Sequence, residues 1–174
     1  MATRGLRTPM KRGIQAKDTV GFEINHVTDE SLPGGHYDAV DIVVNERSLT
    51  DLLKEIEHPF ALAEGHTEIA GNYRGLPPEV VFLPSQHLLR HPNPDYMIGD
   101  KPLLLECDCR IPSCWPFVAK IIVGEKTVIW SDFSQPHRNR PSPAGNNAVW
   151  SYEALKPFVF DRTQYSKALA RESA

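Results

Sequence analysis

Three cysteines crowd the segment Cys107-Asp108-Cys109-Arg110-Ile111-Pro112-Ser113-Cys114, with C-x-C-x4-C spacing. Thiolates are soft ligands, and three of them with one imidazole complete a tetrahedral zinc site. If Cys107 and Cys109 end a strand, its two-residue period puts both thiols on one face. Pro112 can then turn the chain so that Cys114 returns toward them. His137 is the natural fourth ligand, with His87 as the second candidate. The segment lacks the doubled C-x2-C of a strong zinc motif. The competing reading is three cysteines packed as small hydrophobes.

Other residues invite chemistry and offer less. His87 and His91 have the i,i+4 spacing that holds a metal on one helical face. No Glu follows His87, however, and His91 precedes proline, which biases it out of a helix. The pair therefore reads as two exposed histidines flanking buried leucines. Ser113-Cys114-Trp115-Pro116-Phe117 echoes the nucleophile segment of papain-like proteases, where the cysteine opens a helix that lowers its pKa. Here Val118, Ile121, Ile122 and Val123 follow, a β-branched run that predicts a strand, so the echo is coincidental. Trp115, Trp130 and Trp150 suit either an aromatic ligand shelf or the core, and the core is the commoner use. Arg138 and Arg140 form a basic spot beside His137 that could hold a carboxylate or phosphate. No glycine cluster matches a phosphate loop.

The elements that must position these groups read as follows. Val20 to Asn25 alternates apolar and polar like a half-buried strand, and Val40 to Val44 supplies a second. The turn signal Leu32-Pro33-Gly34-Gly35 between them predicts a hairpin. Ser48 caps a helix carrying Leu49, Leu52, Leu53 and Ile56, which Pro59 should end or kink. Residues 71–78 read as a loop, Val80 to Leu83 as a short extended segment, and Gln86 to Arg90 as a brief helix capped by Ser85. Leu103 to Cys107, Phe117 to Val123 and Thr127 to Phe133 are strands, the last two joined by the hairpin loop Gly124-Glu125-Lys126. Ser134 to Ala148 is a long proline-rich loop, and loops of that length are usually functional or disordered. Asp161 and Gln164 form a capping box for a last helix that turns Tyr165, Ala168 and Leu169 inward. Clustered strands without a βαβ rhythm predict an α+β fold: a mainly antiparallel sheet with two or three helices packed on it.

Composition bounds the rest. A chain of 174 residues with 41% hydrophobic and 24% charged residues is of ordinary globular make-up, and 15 prolines favour loops and short elements. The expected organisation is a flexible basic arm over 1–17 and a single globular domain over 18–174. The arm holds Arg4, Arg7, Lys11, Arg12 and Lys17 with no acid, which leaves the remainder acidic. A basic arm can meet phosphate backbones, but no aromatic is interleaved with its charges and the body is acidic, so nucleic acid is an unlikely partner. Neither a secretory signal nor a membrane span is read in the sequence. An odd number of crowded cysteines does not make a disulfide framework and implies a reducing, cytoplasmic compartment.

The cysteine segment with Trp115-Pro116, followed by Trp130-Ser131-Asp132-Phe133 and Gln135-Pro136-His137-Arg138, resembles bacterial proteins of unknown function over roughly the C-terminal half of the chain. The resemblance implies a bacterial cytosolic origin and brings no activity or site with it. On the residues alone, the expectation is a non-enzymatic binding or interaction protein with a structural cysteine cluster, with or without zinc. Its partner would be another protein or a small molecule. The alternative is a small metal- or Cys/His-dependent hydrolase, using Cys114 or a metal-bound water near His137 and Asp132.

Overall fold

The computed structural model describes residues 15–170. Most of the basic arm, residues 1–14, lies outside them; at its end the Lys17 N–H donates to the Val159 carbonyl at 3.0 Å. The protein is α+β, and every pair of neighbouring strands is antiparallel. No helix among the described residues is long and apolar enough to cross a membrane.

The alternating N-terminal segments form the expected hairpin. Strand β1 (Val20–Thr28) pairs along its whole length with β2 (His36–Val44). A short β3 (Arg47–Ser48) completes this three-stranded sheet and leads into helix α1 (Leu49–Glu64). Ser48 Oγ accepts from the Asp51 N–H, and Gly65, at φ 81°, closes the far end in the left-handed conformation. The helix runs through Pro59. Its buried stripe, Leu49, Leu53, Glu57, Ala61 and Glu64, continues on both sides of the proline. Anchors before and after the missing backbone hydrogen bond hold the helix together, where proline alone would cost about 3 kcal/mol.

The second sheet carries most of the core. Its order is β4 (Tyr73–Gly75), β6 (Lys101–Cys107), β7 (Phe117–Val123), β8 (Thr127–Ser134) and β9 (Phe158–Asp161), with β5 (Met97–Ile98) also pairing β6. The expected loop at 71–78 therefore contains an edge strand, and the chain before the last helix contains another. Neither shows alternation, because each is only three or four residues long. Helix α2 (Pro78–Val81) occupies the segment expected to be extended, with a proline at its first turn and the chain extended only from Phe82. Gln86 to Arg90 forms turns rather than a helix. Ser85 Oγ accepts from the His87 N–H alone and itself donates to the Val80 carbonyl, so it caps a turn.

Helix α3 (Arg162–Leu169) begins where expected. Asp161 Oδ1 accepts from the Thr163 and Gln164 N–H groups, each at 2.9 Å, and Tyr165 and Leu169 are buried. The capping box stays open: Gln164 Nε2 donates to the Val20 carbonyl at 2.7 Å, tying α3 to β1 instead. Tyr165 supports the core by donating to the Leu88 carbonyl and accepting from Trp130 Nε1.

The two sheets touch where β2 crosses β4. The Val40 N–H donates to the Leu76 carbonyl at 2.9 Å. A Cβ on Gly75 would lie 1.9 Å from the Val40 oxygen, so only glycine permits the approach.

Candidate metal centre and its surroundings

Cys107 is the last residue of β6, and β7 begins at Phe117, so the cysteine segment is the loop of the β6–β7 hairpin. Two successive turns fold it. The Arg110 N–H donates to the Cys107 carbonyl at 2.9 Å, and the Cys114 N–H donates to the Ile111 carbonyl at 3.0 Å. Pro112 sits at the second position of the second turn, where its fixed φ is pre-organised. Arg110 takes φ 66°, which lets the first turn run into the second.

This loop brings the three sulfurs within 4.8 Å of one another. The route differs from strand alternation: β6 ends before Cys109, which is delivered by the turn. Three thiolates around one zinc stand about 3.8 Å apart, from Zn–S bonds of about 2.3 Å in tetrahedral array. Loop adjustments of that size are small. Cys107 is buried, whereas Cys109 and Cys114 are exposed. Burial pushes the Cys107 thiol well above its ordinary pKa. Cys109 is held below its ordinary value, chiefly by the hydrogen bond from Cys107. A cation bound by the three sulfurs would displace their protons.

His137 stands beside this group rather than within it. Its Nε2–H donates to the Ser113 carbonyl at 2.8 Å, and its ring stacks on Trp115 at 6.3 Å between centroids. That bond fixes the tautomer and leaves Nδ1 as the nitrogen able to bind a metal. Cys114 and His137 line a common cleft with Trp115, Arg140 and Ser142. His87 is far from the exposed role read for it. It is fully buried, donates from Nε2 to the Leu103 carbonyl and accepts at Nδ1 from the Asn93 N–H. Both nitrogens are used, burial lowers its pKa, and it is a core histidine. His91 is exposed, and Asp132 pairs with Lys101 at 2.8 Å.

The tryptophans divide. Trp130 and Trp150 are buried, while Trp115 is half-buried at the edge of the cleft. Arg138 does hold a carboxylate, but an internal one. Its guanidinium forks onto Glu64, with Nε to Oε1 at 3.0 Å and Nη2 to Oε2 at 3.1 Å, and Trp150 Nε1 donates to the same Oε1 at 2.6 Å. This pins the long 134–148 loop onto α1. Gly145 makes room for it, since a Cβ there would lie 2.5 Å from Arg138 Nε. A second buried network was invisible in the sequence. Glu57 accepts from the Gly71 N–H and from the Tyr73 and Tyr152 hydroxyls, at 2.6 to 2.7 Å. The only available signal was an acid in register with the apolar stripe of α1.

Fold and site together define an α+β protein with a three-thiol cluster close enough to bind a metal ion. No family model, curated protein or solved structure matches the chain.

Proposed function

We propose that the chain is a non-enzymatic binding domain in which Cys107, Cys109 and Cys114 hold a zinc ion that braces the β6–β7 loop. His137 would be the fourth ligand, through Nδ1. The observation that carries the reading is the convergence of three sulfurs within 4.8 Å on a loop closed by two turns. Zinc suits soft thiolates and has no redox demand. A cytoplasmic setting would keep the thiols reduced. The braced loop would present the adjoining surface to a protein or a small molecule, with no role for nucleic acid or membrane.

The test is metal analysis of protein purified from zinc-supplemented cells and then desalted. The reading expects about one zinc per chain, and His137→Ala should weaken retention. Less than about a tenth of an equivalent of any transition metal, with all thiols intact, would end it.

A second reading, a small metal-dependent hydrolase, draws on one observation. The grouped ligands number three, two of them exposed, which is the pattern of a metal with an open position. X-ray absorption separates the two. Three sulfurs and one imidazole nitrogen support the closed structural site, whereas three sulfurs and a water oxygen support the hydrolase.

A further inference from the structure

A second cavity, of about 530 Å³, opens between β2, β4 and β6, with Arg110 of the cysteine loop on its lining. That volume suits a small metabolite. Arg74 of β4 and Arg110 of the cysteine loop both lie over the Tyr37 ring of β2, with guanidinium carbons 4.4 and 5.0 Å from its centroid. Stacking fixes the planes of both groups before any ligand arrives. The backbone behind them is equally fixed, because Gly75 is locked against Val40.

The charges at this site are incompletely matched. Arg74 stands directly opposite Glu106 in the β4–β6 register, so the two side chains share a face. Yet among the described residues Arg74 forms no ion pair, and its Nε and Nη1 are buried without a hydrogen-bond partner. The contrast with Arg138, whose fork is filled by Glu64, is direct. Among the described residues, the ion pair that Arg110 forms is with Asp29, loosely, at 3.8 Å. Buried guanidinium nitrogens without acceptors are costly, and in a cavity they point to a missing acceptor.

We propose that this cavity binds a small molecule through an oxyanion, a carboxylate or a phosphate, bridged by Arg74 and Arg110. Binding would draw the Arg74 fork onto the ligand and give its nitrogens acceptors. Asp38, Glu79 and Glu106 on the lining disfavour a second negative charge, so the rest of the ligand is neutral or cationic. Arg74 stands on β4 and Tyr37 on β2, whereas Arg110 comes from the cysteine loop, so the site shares that loop with the proposed zinc centre.

The experiment titrates the full chain, labelled with 15N, with inorganic phosphate and separately with acetate, against sodium chloride at matched ionic strength. The expected result is a saturable shift of the arginine Nε signals with one of the two probes, which also identifies the oxyanion. Arg74→Gln and Arg110→Gln should each weaken binding about tenfold or more, and Arg74→Lys, which keeps charge but loses the fork, should fall between. Arg140→Gln, in the other cleft, should leave it unchanged. Absence of saturable shifts with both probes overturns the proposal, as does binding that Arg140→Gln weakens as much as the cavity variants do. Should Arg74→Gln fail to fold, Arg110→Gln decides alone, since its side chain is 36% exposed and adds little to the core.

Discussion

Helix α1 and the β4–β6 edge both bury ionisable groups, and they treat them in opposite ways. On α1, each of Glu57 and Glu64 receives three donors or a guanidinium fork with an indole N–H, and both carboxylates are closed off from water. On the edge, Arg74 and Glu106 face each other across a ladder without closing a bond. Next to them, three thiols crowd within 4.8 Å of one another. Filled networks brace a fold, because every partner is inside the chain. A polar group left without a partner inside the chain is where a ligand could supply one.

The comparison can be broken most forcefully at Glu64. Glu64→Ala strands the Arg138 guanidinium, whose side chain is only 8% exposed, and should cost about 3–5 kcal/mol in urea unfolding. Replacing both partners with Leu and Met should cost clearly less, since no charge is left buried alone. A loss of under about 1 kcal/mol for Glu64→Ala, the range of exposed pairs, would show that the network is not closed.

Chelation should act on the other region alone. If zinc is bound with free metal near a hundred times its dissociation constant, removing it should lower stability by about 2.7 kcal/mol. Hydrogen exchange should then rise in the 107–116 loop and stay unchanged at Glu57 and Glu64. Equal changes in both regions would erase the distinction between them.

A pH series sharpens it further. Burial raises Glu106 from its ordinary 4.5 to about 7, against the opposing pull of Arg74 and Arg110. Its folded state thus prefers the proton. The contribution is fully present below about 4.5 and is lost as pH rises through about 7. Melting temperature of the metal-free protein should fall across that window, and Glu106→Gln should flatten the fall. Glu57 is raised in the same direction by burial, with Tyr152, Tyr73 and the Gly71 N–H opposing, so Glu57→Gln should remove a separate part of the slope. A slope untouched by Glu106→Gln would mean that its carboxyl is paired or solvated after all.

The smallest effect lies outside both regions. Asp161→Ala should cost about 1 kcal/mol for its lost cap. Gln164→Ala should add its own loss independently, because Gln164 serves β1 rather than the cap. Sub-additive losses would instead mean that the capping box closes in solution.

What was legible in the residues were the features that a local pattern encodes. Period-two alternation announced β1 and β2, β-branched runs announced β7 and β8, and Ser48 and Asp161 marked helix starts because capping is a bond between near neighbours. The C-x-C-x4-C spacing announced thiols able to meet, since a loop that short cannot carry them far apart. Tertiary structure alone decided the rest. The edge strands β4 and β9 exist through pairing with β6 and β8, and α1 survives Pro59 because its face is anchored on both sides. Glu57, Glu64 and Arg138 were drawn into buried networks by partners 14 to 95 positions away. His87 was drawn into the core by a carbonyl on β6. Arg74, Arg110 and Tyr37 became a site only when Gly75 let two sheets touch. Burial and long-range hydrogen bonding are properties of the packed chain, and no short window of sequence contains them.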